Sequence, residues 1–234
     1  MDKERIESHT KIKICGMTCE ADIEAVNTYL PDYIGFVLFF PKSKRNISIE
    51  QAKHLLEKVD KKIQTVAVVV SPTTEQVKQI EEVGFDYIQI HGTVTDEVYE
   101  QCRHPILRAF NVSDLDRLEE YEAKGKIKGY VFDSKTPGSG KTFDWSLLDD
   151  IRQKQKTVTS NNDVSNKDTK KMIFLAGGID ETNVKRAISE VAPDVIDLSS
   201  AVEKAGEDGT FHGKDPEKIR AIVTMVHGGL YYAE

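Results

Sequence analysis

Three cysteines in 234 residues, Cys15, Cys19 and Cys102, are too few and too odd in number for a disulfide scaffold. A reducing cytoplasm suits such a set. Cys15-x-x-x-Cys19 is half of a metal-ligand spacing, but no second Cys/His pair follows at a suitable interval, so no metal is expected. The chain also lacks any run of roughly 18 apolar residues, which excludes a membrane-spanning helix. Its polar start, Met1 to Lys11, lacks the apolar stretch of a signal peptide. Excess basic charge is missing as well: the net charge of −7 repels polyanions, so neither nucleic acid nor an anionic membrane is an expected partner. A phosphate ligand stays compatible, because backbone N–H groups bind phosphate whatever the overall charge.

What is present is a rhythm. The composition, 39% apolar and 30% charged, suits one globular domain of the size of a single α/β barrel, spanning residues 1–234. Short β-branched runs recur at Ile12–Cys15, Tyr33–Phe39, Gln64–Val70, Tyr87–Ile90, Ile106–Phe110, Gly129–Phe132, Met172–Ala176 and Val195–Leu198. They are continuously apolar rather than alternating, as expected of parallel strands buried on both faces. Amphipathic segments at Ile49–Val59, Thr73–Val83, Ser113–Lys124, Thr182–Val191 and Asp215–Val226 each begin near a Ser, Thr or Asp cap. Eight strand–helix units predict a closed (β/α)8 barrel, the TIM-barrel architecture, with a doubly wound open sheet as the alternative. Arg152 to Lys171 breaks the rhythm. It is polar and low in apolar residues and reads as a solvated insertion around 153–170, on the barrel face away from the chemistry.

In a barrel, residues that follow the strands converge on one mouth. Those positions hold Cys15-Gly16, Arg45, His91-Gly92, Asp133, Gly177-Gly178 and Asp197-Leu198-Ser199-Ser200. Cys15 can serve as a general base if its thiolate is favoured; the plainer role is a buried thiol, and Cys19 and Cys102 read as packing. Asp133 can act as an acid if its pKa is raised, or it can order the loop that follows. Arg45 either belongs to a solvated basic run, Pro41-Lys42-Ser43-Lys44-Arg45, or forks a substrate carboxylate. His91 reads as a hydrogen-bonded histidine lining the mouth, or a ligand or base. The Gly177-Gly178 turn before a helix, and the Ser199-Ser200 loop, together offer amides for phosphate. Trp145 reads as a packing anchor beside a helix cap.

An ordered series of these segments resembles phosphoribosylanthranilate isomerase, the barrel enzyme of tryptophan biosynthesis. The series runs Lys13-Ile-Cys-Gly-Met-Thr18, Gly35-Phe-Val-Leu-Phe39, Pro41-Lys-Ser-Lys-Arg45, Gln89-Ile-His-Gly92 and Asp133. It continues through Gly138-Ser-Gly-Lys-Thr-Phe-Asp-Trp145, Ala176-Gly-Gly-Ile179 with Asn183-Val184, Asp197-Leu-Ser-Ser200 with Val202-Glu203, and Gly213-Lys-Asp215.

The resemblance implies an Amadori rearrangement, the third step from chorismate to tryptophan. N-(5-phospho-D-ribosyl)anthranilate becomes 1-(2-carboxyphenylamino)-1-deoxy-D-ribulose 5-phosphate, without metal or organic cofactor. It implies Asp133 as general acid, Cys15 as general base, Arg45 on the anthranilate carboxylate, and His91 and Asp197 against the substrate. The amides around Gly177, Gly178, Ser199 and Ser200 would take the phosphate. The enzyme would be a monomer or homodimer.

Two residues depart from the family pattern. Ala201 stands where glycine is usual, which would strain the loop if positive φ is required there. Pro137 replaces the first of two glycines after the catalytic acid and should stiffen that loop. The alternatives are a dual-substrate barrel that also isomerises the histidine-pathway aminoaldose, and a non-catalytic phosphosugar-binding barrel. The similar dual-substrate barrel carries aspartate where Cys15 stands, so the thiol counts against it.

Overall fold

The computed structural model describes residues 10–134, 142–149, 151, 170–205 and 211–227. Eight strands form the barrel: β1 (Lys11–Cys15), β2 (Tyr33–Leu38), β3 (Gln64–Val70), β4 (Tyr87–His91), β5 (Ile106–Asn111), β6 (Ile127–Asp133), β7 (Met172–Leu175) and β8 (Val195–Leu198). Their pairings are all parallel, and β1 pairs with both β2 and β8. The sheet therefore closes on itself, as the eightfold rhythm predicts, and the open-sheet alternative falls away. A two-residue strand, Asn46–Ile47, adds to the outer edge of β2, and an antiparallel ribbon, Glu203–Ala205 with Phe211–Lys214, follows β8.

Strand parity explains why the runs are apolar on both faces over most of their length. Val66, Val68, Leu107, Ala109, Val131, Phe174 and Val195 fill the barrel interior. Their neighbours Ala67, Val69, Ile106, Phe110, Phe132, Ile173 and Ile196 pack outward under the helices. Successive side chains point to opposite faces, and both faces are dry. Tyr33 meets Phe174 edge to face at 5.5 Å inside the barrel, an arrangement favoured by the ring quadrupoles.

The helices are α1 (Glu20–Tyr29), α2 (Ile49–Leu56), α3 (Thr74–Val83), α4 (Asp96–Gln101), α5 (Glu119–Glu122), α6 (Val184–Val191) and α7 (Pro216–His227). Thr73 caps α3 with a reciprocal bond to Gln76, and Ser48 caps α2 through the Gln51 amide. Asp215 accepts from the Glu217 and Lys218 amides at the start of α7. Helices α1 and α4 fill strand–helix units that the eightfold rhythm expects without giving them bounds, and α4 ends just before Cys102. Their buried stripes are thin: α4 buries only Val98, and α1 buries Asp22 beside Ile23, Ala25 and Val26. The predicted helix Ser113–Lys124 is instead a 3₁₀ segment, Val112–Arg117, kinked internally at Asp114 (φ −116°, ψ 15°), followed by the short α5.

Positions 152–169 of the polar insertion lie outside the described residues. Lys171, at its end, is not solvated as expected. It is buried, and its ammonium donates to the carbonyls of Ile127 at 2.7 Å and Lys124 at 3.1 Å, securing the entry to β6.

Phe174 is fully buried at the centre of the interior cluster. Truncation to alanine should cost about 3–5 kcal/mol by urea denaturation; a loss below about 1 kcal/mol would mean that the interior is not packed as described.

Candidate active site

Parity also sets the mouth. Lys13 and Cys15 on β1, Gln89 and His91 on β4, Asp133 on β6 and Asp197 on β8 share the inward face, at the C-terminal end of the barrel. A cavity of about 400 Å³ opens there. Cys15, Asp133, Arg45, His91, Asp197, Gly177, Gly178, Ser199 and Ser200 all line it. The nine residues singled out from the sequence are thus brought to one place.

Lys13 lies directly across the β1–β8 register from Asp197, and its ammonium meets Asp197 Oδ2 at 2.7 Å. Both side chains are buried. Burial pulls the Lys13 pKa down, but Asp197 and the Cys15 sulfur more than offset it, so the net direction is up and the ammonium stays charged. Cys15 and Lys13 also crowd the same bare backbone. A Cβ on Gly35 would stand 2.9 Å from Cys15 Sγ and 3.3 Å from Lys13 Nζ. Burial pushes the Cys15 thiol up, and Lys13 pulls it back, while Asp197 adds to the rise and Lys214 and Arg45 oppose it. The net direction is up, so the free site holds a protonated thiol beside a buried cation.

Asp133 ends β6. Burial raises its carboxyl to about 6, against a 2.7 Å hydrogen bond from the Ser134 amide and with Asp197 adding to the rise. Gly177, with φ of +82°, leaves room for it. A Cβ there would stand 2.7 Å from Asp133 Oδ1 and 2.5 Å from the Ser134 nitrogen.

The loop after β2 delivers Arg45. Asn46 Oδ1 accepts from the Phe40 amide at 2.7 Å, and Ser43 Oγ accepts from the Arg45 amide at 3.2 Å. The guanidinium Nε then donates to Glu203 Oε1 at 2.5 Å. Three buried polar atoms on residues lining the cavity have no partner among the described residues: Arg45 Nη2, Gln89 Oε1 and Asp197 Oδ1. Such atoms are costly in a native interior unless a ligand completes them.

His91 is neutral, because burial, with Lys13 and Arg108 adding, pulls its pKa to about 4. It accepts a 2.8 Å hydrogen bond from Gln89 Nε2. At the two loops after β7 and β8, Asn183 pins the glycine turn by donating to the Gly178 carbonyl at 2.8 Å. The loop hydrogen bonds among the described residues do not use the amides of Gly177, Gly178 or Ser200. Ser199 Oγ donates to the Cys15 carbonyl at 2.9 Å, so its hydroxyl ties β1 to the β8 loop. Ala201 sits in the 3₁₀ turn Ser200–Val202 and is not among the residues with positive φ, so the feared strain is absent. Pro137 lies outside the described residues. Trp145 is a packing anchor, buried beneath Arg186 and next to the Asp144 cap.

Lys13, Gln89, Glu203 and Lys214 were assigned no role from the sequence. Parity held a signal for two of them: Lys13 and Gln89 lie two residues before Cys15 and His91, polar side chains in otherwise apolar strands. Glu203 and Lys214 are brought in by the ribbon, which carries no such periodicity.

Fold and site together define a (β/α)8 barrel whose mouth pairs a thiol with a raised carboxyl beside two glycine- and serine-lined loops. Residues 12–225 match the family model of N-(5'-phosphoribosyl)anthranilate (PRA) isomerase. The chain is 38% identical over 221 residues to N-(5'-phosphoribosyl)anthranilate isomerase of Clostridium kluyveri, covering 92% of this chain and 97% of that one. Among solved structures, phosphoribosyl anthranilate isomerase from Thermus thermophilus superposes with a TM-score of 0.75 at 26% identity, over 94% of this chain and 99% of that one. A further structure, with a TM-score of 0.72 at 26% identity, covers 94% of this chain and 99% of that one. It is a phosphoribosyl anthranilate isomerase in complex with reduced 1-(o-carboxyphenylamino)-1-deoxyribulose 5-phosphate. The chain belongs to the N-(5'-phosphoribosyl)anthranilate isomerase family. No helix among the described residues is long and apolar enough to cross a membrane.

The raised Asp133 pKa has a consequence for stability. Its folded value of about 6 lies above an unfolded value of about 4, so the fold favours the protonated acid. That contribution is complete below pH 4 and is lost as pH rises through 6. Asp133→Asn should therefore stabilise the protein by about 2 kcal/mol at pH 7 and by almost nothing at pH 4, read from denaturation midpoints at the two pH values. Equal midpoint shifts at both would refute the burial argument.

Proposed function

We propose that this chain catalyses the Amadori rearrangement of N-(5-phosphoribosyl)anthranilate to 1-(2-carboxyphenylamino)-1-deoxyribulose 5-phosphate, acting as a single barrel domain. The observation that carries the reading is one cavity in which a thiol beside a buried ammonium and a carboxyl raised to about 6 share the mouth with an arginine holding an unfilled donor. The relative crystallised with the reduced product analogue supports the same ligand class, a phosphorylated sugar bearing a carboxyphenylamino group.

Asp133 donates its proton to the ribose ring oxygen, and the C1–O bond breaks to give an open-chain Schiff base. Cys15 as thiolate then takes the C2 proton, leaving an enolamine. The enolamine is protonated at C1 and loses the O2 proton to become the ketone. Lys13 supplies the positive field that the thiolate needs, and Asp197 Oδ1 offers an acceptor to a sugar hydroxyl. Arg45 takes the anthranilate carboxylate, with His91 lining the mouth as a neutral ring. The amides of Gly177, Gly178, Ser199 and Ser200 take the phosphate.

The proton inventory is demanding. A thiol raised by burial and an acid at about 6 rest as thiol and carboxylate at neutral pH. The reactive arrangement, thiolate with protonated acid, carries the same number of protons but is the minor form of the pair, because the thiol is raised and holds its proton more tightly than Asp133 does. The pH dependence of kcat/KM should thus rise through a limb near pH 6 owing to Asp133, and fall again above the thiol's own pKa.

Turnover is tested by loss of the fluorescence of the anthranilate adduct, with the histidine-pathway aminoaldose run in parallel. Conversion of the first and not the second is expected; no turnover of the first would reject the reading. Cys15→Ser and Asp133→Asn should each lower kcat by about 10²–10⁴-fold with binding of the reduced product analogue largely kept. Near-wild-type kcat in either variant would remove that residue from the chemistry.

A further inference from the structure

We infer that Glu203 is a positioning residue that holds the Arg45 guanidinium at the mouth with one donor unfilled, and thereby sets selectivity for substrates bearing a carboxylate. The inference rests on Arg45 being the carboxylate anchor, as proposed above.

Glu203 opens the ribbon after β8 and is buried, paired in register with Lys214 on the returning strand. Its Oε1 accepts from Arg45 Nε at 2.5 Å and lies 3.4 Å from Lys214 Nζ, while Oε2 meets Lys44 Nζ at 2.9 Å. One carboxylate therefore faces three cations. The corner keeps a positive surplus that an anionic ligand group would neutralise, and two of the cations are already fixed away from solvent.

The route of the arginine stem is fixed as well. A Cβ on Gly16, whose φ is +91°, would stand 2.5 Å from Arg45 Cδ, so the stem lies flat on bare backbone. With the stem seated on Gly16 and Nε tied to Glu203, the remaining rotors of the side chain are spent before any ligand arrives. Nη2 is buried and has no partner among the described residues. A guanidinium held this way presents its remaining donors without an ordering cost at binding. Without the Glu203 carboxylate, Arg45 has no charged partner among the described residues to hold it, and the ordering cost returns.

Glu203 is not among the residues that line the cavity. Its effect on the carboxylate passes through Arg45, so it should alter the preference for a carboxylated ligand. Through Lys214, which donates to the Ser199 carbonyl at 3.1 Å, it also touches the phosphate loop, an effect that two phosphorylated probes share and their ratio cancels. A purely structural role would instead weaken every ligand together.

The test is calorimetric titration of the wild type, Glu203→Gln and Glu203→Asp with two probes: the reduced product analogue and its phenyl counterpart lacking the carboxylate. The wild type should prefer the carboxylated probe by roughly 10- to 100-fold. Glu203→Gln should bring that ratio down about tenfold, and Glu203→Asp, which keeps the charge but draws it back, should restore part of it. An unchanged ratio in Glu203→Gln, with both affinities falling together, would overturn the inference. So would a larger ratio, which would make Glu203 a competitor for Arg45. If a thermal melt shows Glu203→Gln unfolded, Glu203→Ala takes its place, and an unchanged ratio there is equally fatal. Failure of the wild type to bind either probe would instead reject the proposed function, whatever the variants do.

Discussion

The Lys13–Asp197 pair is the interaction on which the mouth depends. It spans the β1–β8 seam where the barrel closes, with both side chains buried and the charges 2.7 Å apart. A buried ion pair gains little net stability, because desolvation consumes most of the Coulomb attraction. Its value here is electrical. The ammonium pulls the Cys15 thiol down against burial, and the carboxylate pushes both Cys15 and Asp133 up. Removal of either partner would leave a bare charge within the site and shift both candidate proton carriers.

Around that pair the mouth is built in an unfinished state. Arg45 Nη2, Gln89 Oε1 and Asp197 Oδ1 are buried polar atoms whose hydrogen-bonding capacity is not met among the described residues. Each belongs to a side chain whose other atoms are held: Arg45 by Glu203, Gln89 by His91, Asp197 by Lys13. One atom fixed and one left over is how a scaffold prepares a polar group for a ligand at little reorganisation cost. The raised Asp133 follows the same logic, since a group poised to give up its proton is one that the fold would be more stable without.

Much of this was legible before any coordinates. The continuous apolar runs from Ile12 to Leu198 predict parallel strands buried on both faces, and all eight appear. The thiol at Cys15, the acid at Asp133 and the glycine pair at Gly177-Gly178 each follow a strand, so they were readable as mouth residues without knowing how the ring closed. Helices α1 and α4 are expected only as members of eight strand–helix units, without bounds: α4 is six residues long and buries only Val98, and the stripe of α1 is interrupted by Asp22. Lys171 misled for the opposite reason: it is a lysine in a polar stretch, yet backbone carbonyls of Ile127 and Lys124 take its ammonium out of water.

The amino-acid sequence by itself determined the strand count, the parity of each strand and hence which residues share the inward face. These are local properties, set by the two-residue period of a strand. Only the tertiary structure decided the electrostatics. Lys13 and Asp197 are 184 residues apart, Arg45 and Glu203 are 158 apart, and no local pattern links either pair. Barrel closure sets the first through the β1–β8 register, and the ribbon after β8 sets the second by folding Glu203 back over the β2 loop. The protonation of Cys15 and the reach of Arg45 depend on distances of a few ångströms between such distant segments, because Coulomb energy in a dry interior is set by separation in space and not along the chain.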